Sequence, residues 1–161
     1  KGQFPGTEVA WDDAGLEVLR GYTSIEGDFT IVPPGIETKT AITTLRALSC
    51  LESVGGLLTI SKSPKLTSLD GLGALRTVRN LSIFDNDKLT SLAAFQELQV
   101  ENALTITRNR ALVDLGQGFI AAGGIGISLN DVLPQCQVDA LAEKLGKVCL
   151  GCSNYTAGSC D

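Results

Sequence analysis

The chain has 161 residues, 43% of them apolar and 19% charged, with a net charge of −5. That length fills one core and not two, so residues 1–161 are expected to form a single domain. The charge runs in no long block of one sign, which leaves no basic footprint for nucleic acid or for an anionic membrane surface. The longest uncharged stretch, Leu115 to Asn130, is too glycine-rich and short for a transmembrane helix.

The chain opens Lys1-Gly2-Gln3-Phe4-Pro5, with no apolar signal core, the pattern of a mature or trimmed chain. In residues 1–21, Asp12 or Asp13 is placed to cap a helix through Leu16, Leu19 and Arg20, closed by Gly21. From 22 to 130 the sequence repeats. Leu58-Thr59-Ile60, Leu81-Ser82-Ile83, Leu104-Thr105-Ile106 and Ile127-Ser128-Leu129 superpose with their central residues 23 apart. Phe29-Thr30-Ile31 is an earlier copy, separated by an extra loop at Val32-Pro33-Pro34-Gly35. Leu66-Thr67-Ser68-Leu69, Leu89-Thr90-Ser91-Leu92 and Leu112-Val113-Asp114-Leu115 repeat in phase with these.

Apolar and hydroxyl residues alternate within each copy, the period of a half-buried strand, and a repeat of this length is one coil of a solenoid. The expected fold is mainly β: a right-handed parallel β-solenoid of about five coils, with short capping helices at both ends. Leu72, Leu75 and Val78 recur as Phe95, Leu98 and Val100, forming the other wall of the core. Gly123-Gly124-Ile125-Gly126 is expected to be a coil bend. In residues 131–161, Val138, Leu141, Ala142 and Leu145 follow the spacing of an amphipathic helix that stops at Gly146, and a cysteine-rich cap follows.

Of five cysteines, Cys136, Cys149, Cys152 and Cys160 crowd this C-terminal segment, which points to disulfides in an oxidising compartment. Four cysteines allow three pairings; short local loops favour Cys136 with Cys149 and Cys152 with Cys160. The rival is zinc at the Cys149-Leu150-Gly151-Cys152 pair, but no second such pair and no histidine exists to complete it. Cys50 is left as a buried small hydrophobe.

The run from Gly15 to Ile31, with Ser24-Ile25-Glu26-Gly27-Asp28-Phe29-Thr30-Ile31 at its end, resembles the opening of the receptor L-domain family. Val54-Gly55-Gly56-Leu57-Leu58-Thr59-Ile60 and Leu72 to Leu92 resemble its internal coils, especially those of bacterial secreted and cell-surface members. The similarity covers residues 15–145. It resembles ordinary leucine-rich repeats less. The family implies a β-helix used for recognition outside the cell, and its animal members bind polypeptide ligands, but no short motif carries those contacts onto this chain.

Asn86 and Asn109, at matching places in successive coils, are expected to bond the backbone of neighbouring coils and not a ligand. Asp85 and Asp87 lack the further oxygen ligands of a calcium loop and read as a solvated turn. The outward strand positions form two columns: Thr30, Thr59, Ser82, Thr105 and Ser128, then Val32, Ser61, Phe84, Thr107 and Asn130. Among these, Phe84, an outward aromatic in a polar sheet, is the expected anchor for a protein or glycan, with Ser82, Thr59, Ser61, Thr105, Thr107, Ser128 and Asn130 around it. Without histidine the chain lacks the commonest general base, and its carboxylates show no pairing on one face, so no enzyme, metal or cofactor is expected. Asn80-Leu81-Ser82 and Asn154-Tyr155-Thr156 match the glycosylation pattern. The sequence thus points to a secreted or cell-surface recognition module without a transmembrane segment. The alternatives are a self-assembling filament or coat protein and, from the threonine array, an ice-binding protein.

Overall fold

The computed structural model describes residues 1–33, 35, 39–149 and 151–154. Strands β1 (Gln3–Phe4), β2 (Glu8–Ala10), β3 (Ser24–Ile25), β4 (Phe29–Ile31), β5 (Ser53–Ser61), β6 (Thr77–Phe84), β7 (Leu98–Thr107) and β8 (Phe119–Ser128) all lie in one parallel sheet. Every partner is the equivalent strand of the coil before or after it, which makes the molecule a β-solenoid of about five turns. Two short α-helices, α1 (Asp13–Glu17) and α2 (Gln135–Lys144), stand at its ends.

The strands follow from the alternation. Phe29, Leu58, Leu81, Leu104 and Ile125 stack in one inward column, and Ala10, Ile31, Ile60, Ile83, Ile106 and Ile127 stack in the next. All are buried. A second inward wall comprises Ile25, Val54, Val78, Val100 and Ala122. Register shifts between the two walls, at Val54/Leu57 and Val78/Leu81, turn each long strand through the corner of the coil. Leu72, Leu75, Phe95 and Leu98 close the core from the remaining side, as the repeat implied. Each of these fully buried side chains contributes ~1.5–3 kcal/mol, and no single coil could bury its own.

Three expectations are corrected here. Residues 1–21 form more than a cap: β1 and β2 pair with β3 and β4 and make a further rung, with Glu8 beside Phe29 and Ala10 beside Ile31. Gly123, Gly124 and Gly126 lie inside β8 and do not make a bend. The final repeat is two residues shorter than its predecessors, because Leu104 pairs with Ile125 and Ile106 with Ile127. Leu129 therefore sits past the strand, 37% exposed, and not in the core. A slip of two residues keeps every side chain on its own face, so alternation alone could not detect it.

Both ends are covered. At the first, Asp12 caps α1 by accepting from the Gly15 N–H at 2.7 Å, and Leu16 and Leu19 plug the core. At the other, α2 buries Val138, Leu141 and Ala142 and ends before Gly146, whose φ of 62° suits glycine. Gln137 of α2 accepts from the Leu115 N–H at 3.1 Å and donates to the Val113 carbonyl at 2.8 Å, the bonds a further coil would make. Lys144 does the same for the Gln117 carbonyl. Cys149 and residues 151–154 run along the outer edge of β8, where Ile127 N–H meets Cys152 Sγ and Leu129 N–H meets the Ser153 carbonyl. Among the described residues no helix is long and apolar enough to cross a membrane.

Candidate recognition surface

Strand parity places the outward side chains in rows. One row runs Val9, Thr30, Thr59, Ser82, Thr105, Gly126, and its neighbour runs Val32, Ser61, Phe84, Thr107, Ser128. A third, on the far side of the first, runs Leu57, Asn80, Ala103, Gly124. The corrected register moves Ser128 from the first row to the second, beside Thr107.

Of the eight residues expected to form the site, seven lie in the outward rows, in two groups, and one does not. Phe84, Ser82, Thr105, Thr107 and Ser128 share one open, half-buried stretch of sheet. Thr59 and Ser61 belong to the same rows but are only 6% and 1% exposed. Ser61 lies between the larger Val32 and Phe84, and its hydroxyl reaches the Ile31 carbonyl at 3.5 Å. Asn130 is a correction: it is fully buried and does not face outward.

Its place is in an asparagine ladder at the corner after the strands. Asn86, Asn109, Asn130 and Asn154 stack in successive coils, with Ser63 ahead of them. Each Oδ1 takes the backbone N–H of the ladder residue one coil back, at 3.0–3.2 Å. Each Nδ2 of Asn86, Asn109 and Asn130 reaches an isoleucine carbonyl, Ile60, Ile83 or Ile106, at 2.9–3.0 Å. This meets the expectation for Asn86 and Asn109. It also occupies Asn154 of the second glycosylation pattern, whose Tyr155 and Thr156 lie outside the described residues. The residues before Ser63, Asn86, Asn109 and Asn130 are left-handed without being glycine: Lys62, Asp85, Arg108 and Leu129 have φ of 49–58°. The ladder holds this corner in place.

Charges at the corner are paired along the coils. Arg108 donates to Asp85 at 2.7 and 3.2 Å, a bond that raises the Arg108 pKa above its ordinary value against the opposing effect of burial. Its guanidinium stands over the Phe84 ring, 5.9 Å from its centre, so one face of the aromatic is covered by an ion-paired cation and the other is left to the sheet surface. Arg110 lies between Asp87 at 3.8 Å and Asp131 at 3.9 Å. Asp85 and Asp87 thus serve ion pairs in the turn. Among the described residues no group of three or more His, Cys, Asp or Glu side chains is placed to hold a metal ion.

Elsewhere, a shallow groove of about 370 Å³ lies among the turns before β6 and β7, lined by Ser68, Asp70, Gly71, Ser91, Ala93 and Gln96. Its Ser91 hydroxyl donates to Asp114 at 2.6 Å and accepts from the Ala93 N–H. The serine is thereby committed to the turn.

The cysteines differ from the favoured pairing. Cys149 joins Cys152, Cα atoms 5.5 Å apart, because Cys149 pairs with Ile125 while Cys152 turns back to Ile127 N–H on the same edge. Cys136, in the first turn of α2, is itself disulfide-bonded, and Cys160 lies outside the described residues. Cys50 is a free, exposed thiol, not the buried hydrophobe expected.

Two features escaped sequence reasoning. Trp11 follows β2, 47% exposed, at the end of a short alternation in Glu8-Val9-Ala10 that was legible in the sequence. The ladder's full extent was signalled by an asparagine or serine three residues after the last inward isoleucine: Ile60–Ser63, Ile83–Asn86, Ile106–Asn109 and Ile127–Asn130. The molecule is, by class, a capped β-solenoid with a disulfide in its C-terminal cap. No protein-family model matches the chain, and no curated protein matches it.

Proposed function

We propose that this chain is an extracellular, non-enzymatic recognition module of the receptor L-domain type, which binds a protein or glycan through the sheet face around Phe84. One observation carries the reading: a continuous outward stretch of Ser82, Phe84, Thr105, Thr107 and Ser128 holds no charge, while the adjacent corner charges are paired. A half-exposed aromatic amid small hydroxyls offers one apolar anchor with hydrogen-bonding groups at strand spacing. The scaffold beneath is rigid, because β6 and β7 are bonded on both sides and the ladder fixes the corner. The disulfide in the cap supports an oxidising compartment.

Coverage of both solenoid ends speaks against end-to-end stacking into a filament, since α1, α2, Cys149 and residues 151–154 occupy the places a second copy would take. The breaks in the threonine rows at Phe84 and Gly126 speak against an ice-binding plane. The test is binding of glycans and cell-surface proteins to wild type and Phe84→Ala, with light scattering over a range of concentrations. Binding weakened about tenfold or more by Phe84→Ala supports the reading. Equal binding by both removes the site, and concentration-dependent growth into regular polymers replaces recognition with assembly.

A further inference from the structure

Three glycines of β8 are not equivalent. A Cβ on Gly123 would fall 2.4 Å from the Asn102 carbonyl oxygen and 2.5 Å from that of Glu101, so packing demands glycine there. A Cβ on Gly126 would meet nothing within 4 Å, and one on Gly124 would meet only the Asn102 carbonyl oxygen at 4.0 Å. Neither has a left-handed backbone. The fold therefore requires glycine at neither position, although a strand interior is where glycine weakens structure and β-branched residues strengthen it. Both point outward, at the ends of the rows that hold Ala103 and Thr105 one coil earlier.

The result is a step in the sheet face. Phe84 and Asn80 stand on β6, smaller Ala103, Thr105 and Thr107 on β7, and bare backbone with Ser128 on β8. Beyond the step the chain rises again at Val148, which precedes Cys149, the partner of Ile125, and is 81% exposed. Three strand spacings, ~14 Å, separate the coil of Phe84 from that of Val148. The floor between them is peptide backbone and small side chains. No charged side chain stands among the outward residues of β6, β7 and β8 from Asn80, Ala103 and Gly124 to Phe84, Thr107 and Ser128, in a chain whose net charge is −5.

We infer that Gly124 and Gly126 keep open a shelf for a neutral glycan, which lies with the flat face of its sugar rings on the β8 backbone between Phe84 and Val148. The inference rests on the proposed recognition face and names its ligand class. A pyranose presents apolar C–H faces and equatorial hydroxyls. The bare backbone and the Phe84 ring suit the first, and Thr105, Thr107 and Ser128 suit the second. A charged polymer would find no counter-charge on this floor, since the cation over Phe84, Arg108, is held by Asp85. Strand glycines often mark places where a ligand or another backbone approaches closely, and at Gly124 and Gly126 no side chain of the described fold fills the space.

The experiment uses the whole chain and four proteins: wild type, Gly126→Thr, Gly124→Thr and Phe84→Ala. Each is tested for binding to cellulose, chitin, mannan and dextran, with heparin and alginate as charged comparisons. The expected result is retention on at least one neutral polysaccharide, with an affinity that changes less than about twofold on raising the salt. Gly126→Thr and Gly124→Thr melt no lower than wild type yet bind about tenfold more weakly or worse, because the new side chains fill the shelf and not the core. Wild-type affinity in both glycine variants overturns the shelf. If no neutral polysaccharide binds while a protein partner binds in a Phe84-dependent manner, the glycan class is overturned and the recognition face stands. If a neutral polysaccharide binds and none of the three variants weakens it, the inference and the recognition face fall together.

Discussion

Replacing Asn109 by alanine isolates the contribution of the ladder. The side chain is fully buried and serves both neighbouring coils. Its Oδ1 accepts from the Asn86 N–H at 3.2 Å and from Asn86 Nδ2 at 3.1 Å, and its Nδ2 donates to the Ile83 carbonyl at 3.0 Å. Alanine leaves the Asn86 N–H and the Ile83 carbonyl buried without these partners, each at a cost of ~1–3 kcal/mol. A water entering the vacated space recovers part of this, which brings the expected loss to about 3 kcal/mol. That is a large share of the ~5–15 kcal/mol typical of a domain. Urea unfolding followed by far-UV circular dichroism measures it, with an unchanged slope showing that the denatured state is unaffected. Arg110→Ala, which removes only exposed ion pairs at 3.8 and 3.9 Å, is the control and should lose less than ~1 kcal/mol. An Asn109→Ala loss no larger than that of the control would show that the ladder is ornamental and that the stacked isoleucines alone fix the corner.

Leu129→Gly relieves a left-handed leucine at φ 58° that is 37% exposed, and should raise stability by ~1 kcal/mol in the same urea experiment; a decrease would mean that its side chain packs against the cap. Gly123→Ala, by contrast, should lower the melting temperature by several degrees, since its Cβ would fall 2.4 Å from a carbonyl oxygen. Burial raises the Asp13 pKa, but hydrogen bonds from the Thr43 hydroxyl and the Thr43 and Thr44 N–H groups outweigh it and hold the carboxyl below its ordinary value. The stability this gives is therefore complete above the unfolded value and lost as pH falls through the folded one, so Asp13→Asn should destabilise at pH 7 and make little difference at pH 2; an equal loss at both would refute the assignment. In native protein, Cys50 should react at once with a thiol reagent while Cys149 and Cys152 do not, as peptide mapping would show.

How much was legible depended on what each signal encodes. Alternation at a fixed period specified the parallel sheet, the inward columns and the outward position of Phe84, because burial acts on every coil alike. It did not specify register in the last coil, where Ile125, Ile127 and Leu129 share one parity; the buried asparagine resolves it, and that role depends on hydrogen-bonding geometry and not on hydropathy. The first rung was missed for a related reason: Val9 and Trp11, on an end strand with a neighbour on one side only, present an apolar exterior where the inner strands present hydroxyls. The pairing of Cys149 with Cys152 goes with both lying against β8, at Ile125 and at the Ile127 N–H, which short loop length in the sequence could not foretell. The bareness of Gly124 and Gly126 became informative only when compared with Gly123, since composition records three glycines as equals.

On the proposed reading, stability and recognition draw on different halves of the same strands. Inward residues, the ladder and the caps hold the solenoid together, and each is tied to its neighbours one coil away. Outward residues between Phe84 and Ser128 are half-buried, uncharged and largely free of that burden, so the face can change without dismantling the core. Glycine at positions 124 and 126 is the sharpest instance: the scaffold would gain from side chains there, and a face selected only for folding would carry them. A variant that fills the shelf and melts higher while binding less would separate the two demands in a single residue.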